Sequence, residues 1–156
     1  MYKQLALVSA IALTGCTVDN SDRVQHSYTS EQYNAGTGLT LAPSENMWVS
    51  FPEMVNIYVA TESCMGMTAD GPTVEYKDFL DYGWGIGGFG LYHPGGYIWI
   101  NTYATQAPLG IERDKRTDTE ALKHEFVHHI LNANGSDWHH GDPMFALCGI
   151  GVNTYN

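Results

Sequence analysis

The run His124-Glu125-Phe126-Val127-His128 sets two imidazoles four residues apart, with a carboxylate directly after the first. On an α-helix, positions i and i+4 lie on one face about a turn apart. His124 and His128 can therefore grip one metal ion while Glu125 stands beside it, able to take a proton from water that the ion polarises. Five of the chain's seven histidines fall between 124 and 140, the other three of that group being His129, His139 and His140. At this histidine and glutamate content, chance gives the HExxH spacing with a probability of roughly one or two per cent. The pattern points to Zn2+ and to hydrolysis.

A helix must carry these residues. Thr117-Asp118-Thr119-Glu120 reads as a capping box at its start, and Asn134-Gly135 as a left-handed stop at its end. Between them Ala121, Leu122, Phe126, Val127, Ile130 and Leu131 spread around most of the circumference, the mark of a buried helix. Imidazoles on a buried helix need partners, and a metal uses both at once. His129 is turned roughly 100° from His128 and reads as structural or surface; His26 and His93 read as bystanders.

A catalytic zinc takes three protein ligands and leaves a fourth position open, so one ligand must come from outside the helix. The metzincin continuation is absent, because Leu131 and Asn134 occupy its glycine and third-histidine positions. The gluzincin continuation is absent too, since no Glu follows Glu125. That leaves Asp137, His139, His140 and Asp142. The segment Asp137-Trp138-His139-His140-Gly141-Asp142-Pro143-Met144-Phe145 is similar to the Asp-x-x-His-x-x-Pro-x-aromatic ending that follows HExxH in small bacterial zincin-like lipoproteins and predicted peptidases. This resemblance implies His140 as the third ligand. It also implies Asp137 as the acceptor of a ligand's other ring N–H, with His139 as the runner-up ligand.

The N-terminus carries its own signal. Met1-Tyr2-Lys3, a short apolar run from Leu5 to Leu13, and then Leu13-Thr14-Gly15-Cys16 resemble a bacterial lipoprotein leader ending in a lipobox. The run is too short to span a bilayer. The resemblance implies removal of residues 1–15, lipidation of Cys16, and a chain anchored in the cell envelope. Thr17 after the cysteine favours the outer membrane. Residues 16–43 are polar and read as a lipidated, flexible tether, and 44–156 as one metal-binding domain.

The formal charge of −10 becomes one unit more negative once Lys3 leaves with the leader, which argues against nucleic acid as a partner. Membrane attachment must then rest on the lipid. Cys64 and Cys148 remain as an even pair in an export compartment, where a disulfide is expected.

Val55 to Ala60 alternates as a strand, Thr73 to Tyr76 more weakly, and Tyr97 to Tyr103 most clearly. Residues 82–96 hold seven glycines among Trp84, Phe89 and Tyr92, so they read as a loop or wide hairpin that could flap over a cleft. The fold class expected is α+β: a small zincin-like domain with a short, mostly antiparallel sheet packed on one buried active-site helix. The function expected is a membrane-anchored, monomeric zinc metallopeptidase acting on peptide or protein substrates, with Glu125 as general base. The Tyr97–Tyr103 strand would pair with substrate; Tyr97, Tyr103 and Tyr155 are all candidates to stabilise the oxyanion, and the sequence singles out none of them. The alternatives are a non-catalytic module in which His124, His128, His139 and His140 close the coordination sphere, and an adhesive surface lipoprotein with a dead site.

Overall fold

A computed structural model of the chain describes residues 23–79, 88–102, 105–106 and 111–149. The elements in order are β1 (His26–Tyr28), β2 (Gln32–Tyr33), β3 (Thr40–Leu41), β4 (Ser44–Met47), α1 (Phe51–Met65), β5 (Thr73–Lys77), β6 (Gly90–His93), β7 (Tyr97–Asn101), β8 (Thr105–Gln106), β9 (Ile111–Glu112), α2 (Lys115–Ala133) and α3 (Met144–Leu147). The class is α+β, with three helices and a mixed five-stranded sheet ordered β2-β3-β5-β7-β6 among the described residues.

The segment Val55–Ala60 is helical and not a strand, because it lies inside α1. Local chemistry explains the correction. Ser50 accepts from the Glu53 N–H, the Glu53 carboxylate accepts from the Ser50 N–H, and a proline sits in the first turn. Phe51, Met54, Tyr58, Thr61 and Met65 then bury one face at three- and four-residue spacing, while the β-branched Val59 is left exposed. Gly66, at φ 64°, ends the helix in the left-handed conformation.

That helix changes the sheet. Carried over by α1, β5 runs parallel to β3, and β7 runs parallel to β5. Only the edge strands β2 and β6 run antiparallel to their neighbours. The expected mostly antiparallel sheet therefore has a parallel centre, and two helices, not one, line its core. Val74, Tyr76, Tyr92, Ile98 and Ile100 form the buried face, and Tyr58 of α1 meets Phe126 of α2 edge-on at 5.0 Å.

Residues 26–43, read as tether, belong to the fold. They form β1, β2 and β3; Leu39 and Leu41 are fully buried, and the Tyr28 hydroxyl accepts the Phe51 N–H at 3.0 Å. The expected domain boundary at residue 44 thus falls too late. Cys16 and the leader lie outside the described residues, among which no helix is long and apolar enough to cross a membrane.

The start of α2 also differs from expectation. Its N-cap is Asp114, which accepts from the Thr117 N–H while the Thr117 hydroxyl accepts the Asp114 N–H, so the capping box sits three residues before Thr117–Glu120. Asp118 is engaged elsewhere: both its oxygens accept from the buried Arg113 guanidinium at 2.7 Å, and one also accepts the Trp48 N–H at 3.0 Å. Arg113 in turn donates to the Asn46 carbonyl at 2.6 Å, which fastens the first turn of α2 to the β4 region. The far end stops at Asn134 with Gly135 at φ 70°, as expected.

Cys64 and Cys148 form the expected disulfide, their Cα atoms 5.7 Å apart across a separation of 84 residues. It bolts the end of α1 to the residue that follows α3.

Candidate metal centre

His124 and His128 project from one face of α2, and the turn after it returns His140 to meet them. The three Nε2 atoms lie 3.0 Å (His124 to His140), 3.1 Å (His128 to His140) and 3.2 Å (His128 to His124) apart. Three imidazoles bound to one tetrahedral zinc at its usual bond length would show nitrogen separations of about 3.3 Å. The triangle fits one small cation held by all three nitrogens.

The protonation pattern fits as well. His128 donates its Nδ1–H to the Trp138 carbonyl, which leaves Nε2 as a lone pair aimed at the other two rings. The Nε2 atoms of His124 and His140 face the same point, where one cation could be shared by all three rings. Burial, followed by the neighbouring His140, holds His124 down to about 4. Burial is also the main reason that His128 lies at about 4. Both rings stay in the neutral form that ligates metals. These three histidines are close enough to hold one metal ion, with His128 buried, His124 half-buried and His140 exposed.

Phe145 of α3 forms the floor. Its fully buried ring lies 5.1, 4.5 and 5.2 Å, centroid to centroid, from His124, His128 and His140. Tyr92 of β6 stacks parallel to His128 at 6.0 Å, and its hydroxyl accepts from Asn132 at 2.8 Å. Neither support was read from the sequence, although the aromatic at 145 closes the motif that names His140.

No family model, curated protein or solved structure matches this chain.

Asp137 does not take the role expected of it. Its Oδ1 accepts both the ring Nδ1–H of His139 at 2.6 Å and that residue's backbone N–H at 3.0 Å, an exposed pairing of neighbours in sequence. The acceptor behind His128 is a backbone carbonyl, which no side-chain pattern reveals. His139 stacks on Trp138 at 4.3 Å and is not among the converging histidines. Asp142 accepts the Met144 N–H and caps the turn into α3.

Glu125 is 5% exposed, and burial pushes its carboxyl up to about 8, opposed by the Tyr92 N–H that donates to it. His129 is structural: it is buried and bonds through Nε2 to the Asp70 carbonyl at 2.7 Å. His93 packs against Trp99 at 4.0 Å, and His26 pairs with Met47 between β1 and β4. Tyr97 stands exposed at the start of β7, while Tyr103 and Tyr155 lie outside the described residues. Of the glycine segment, residues 82–87 lie outside the described residues, and 90–93 form an edge strand of the sheet.

Proposed function

We propose that this chain is a zinc-dependent hydrolase of the cell envelope, a lipid-anchored metallopeptidase of zincin type. The observation that carries the reading is the convergence of His124, His128 and His140 on one point, with the buried Glu125 next in sequence to the first of them. Three histidine ligands make an open site of the catalytic kind; a structural zinc site takes four ligands. His139 is turned to Asp137, which counts against the four-histidine closed module.

A zinc ion in this tripod would supply Lewis acidity, polarising a substrate carbonyl and making water acidic near neutral pH. The protein's own groups do the rest. Glu125, held in a dry seat and basic when ionised, accepts the proton lost by the attacking water and returns it to the leaving nitrogen, the need of peptide and amide substrates. His128 is kept in the ligating tautomer by the Trp138 carbonyl.

Substrate would align on β6. The Tyr97–Tyr103 strand cannot serve, because β7 is bonded to β5 on one side and to β6 on the other. β6 is the edge of the sheet, with one strand partner among the described residues, and it contacts α2, so an extended peptide could add along it beyond the stretch where the Tyr92 N–H meets Glu125.

The test is metal content and peptide cleavage in residues 17–156, a span that keeps β1 to β3. The account expects one zinc per chain and hydrolysis of an unstructured peptide pool. Glu125→Gln should keep the zinc and lose about a hundredfold or more in rate. Hydrolysis that survives in Glu125→Gln would overturn the general-base role.

A further inference from the structure

Gly90 opens the edge strand β6 opposite Ile100 of β7, and its φ lies outside the left-handed region. Its backbone shape would accept any residue. The space around it would not: a Cβ built there lies 2.8 Å from Glu125 Cγ, 2.8 Å from Oε1 and 3.1 Å from Cδ. Real Cβ atoms do not approach so closely, and Glu125, 5% exposed, can make room only by leaving its present position at a cost in packing. Two residues along the strand, the Tyr92 N–H donates to the same carboxylate, and the Tyr92 ring lies against His128.

We infer that Gly90 is a positioning residue, whose missing side chain creates the seat in which β6 holds the Glu125 carboxylate beside the histidine tripod. The inference rests on the peptidase reading for its consequence in turnover. Its geometric content stands apart from that reading. A methyl group at 90 must push Glu125 off its seat, break the Tyr92 N–H bond and leave the three histidines where they are.

The experiment is a double-mutant cycle of Gly90→Ala with Glu125→Ala, read first by thermal unfolding of the zinc-loaded chain. Gly90→Ala alone should lower the midpoint by about 5 °C or more, as overpacking does in a core of this size. In the Glu125→Ala background the methyl enters vacated space, so the same substitution should cost less than a third as much or stabilise. The Tyr92 amide proton should shift upfield equally in Gly90→Ala and Glu125→Ala. Gly95→Ala, whose nearest neighbour is Tyr97 Cδ2 at 3.6 Å, should change none of these. In a cleaving enzyme, Gly90→Ala should lower kcat about tenfold or more with KM nearly unchanged and zinc retained.

Equal loss of midpoint in both backgrounds, or an unmoved Tyr92 amide, overturns the seat. If Gly90→Ala alone does not fold, the double variant must fold, and its failure to do so overturns the inference as well. A parent that binds zinc yet cleaves no peptide would remove the peptidase reading, and the unfolding cycle would still decide the role of Gly90.

Discussion

The ring of Phe145 lies 4.5 Å from the imidazole of His128 while being fully buried beneath the other two histidines of the tripod. One apolar side chain from a four-residue helix thus sets the depth at which all three nitrogens meet. Phe145→Ala should cost about 3–5 kcal/mol of stability through the cavity it leaves. It should also weaken zinc binding at least tenfold, because the imidazoles lose their common floor. Phe145→Leu should fall between. Competition titration against a zinc chelator, beside denaturant unfolding, checks both parts.

The floor is itself held from outside the site. With its ends 84 positions apart in sequence, the Cys64–Cys148 bond should stabilise the fold by about 4 to 5 kcal/mol on the chain-entropy account. Replacing both cysteines with serine should lower the unfolding midpoint and, by freeing the end of α3, loosen zinc as well. A variant that loses stability but binds zinc as tightly as the parent would show that α3 needs no such anchor.

A third prediction concerns acid. Glu53 closes the α1 capping box and pairs with Lys115 of α2 at 2.7 Å. The bond to Lys115 is the largest of the influences that lower its carboxyl from 4.5 to about 2. A depressed carboxyl contributes stability above its unfolded value and loses it as pH falls through the folded one. The parent's advantage over Glu53→Gln should therefore be complete above pH 4.5 and gone near pH 2. Urea midpoints of the two proteins measured across that window test the sign, and a gap that stays constant with pH would contradict it.

The buried pair at the head of α2 gives a fourth. Arg113→Met leaves Asp118 with one N–H donor, from Trp48, and no counter-charge in a dry place. Breaking such a pair from one side should cost about 3–5 kcal/mol. Changing both residues to apolar ones should cost much less, and chemical unfolding of the single and double variants separates the two outcomes.

What could be read from the sequence was set by where the information sits. The pairing of His124 with His128 was legible because side-chain chemistry at fixed spacing leaves a mark in the letters, while His140, which joins them, stood out from its neighbours only through the resemblance of residues 137–145 to the ending that follows HExxH. The Trp138 carbonyl that orients His128 leaves none, since every residue has a carbonyl. The alternation of Val55, Ile57 and Val59 imitates a strand, although Ser50 and Glu53 spell the same kind of helix start as Thr117 and Glu120. Missing α1 hid the parallel centre of the sheet, because a crossover helix is what makes parallel neighbours possible. The strands at 26–28, 32–33 and 40–41 are too short to show a period, and only Leu39 and Leu41 mark where the chain enters the core. Gly90 was visible only as one glycine in a run, and its purpose needs the position of Glu125.

The central claim is that His124, His128 and His140 hold one metal ion and His139 does not. The most direct measurement is zinc per chain, with affinity, in the parent, His140→Ala and His139→Ala. The account predicts one tightly held zinc in the parent, affinity reduced at least about a hundredfold in His140→Ala, and near-parental binding in His139→Ala. A parent without metal, or a His139→Ala variant that loses zinc as fully as His140→Ala, would contradict it.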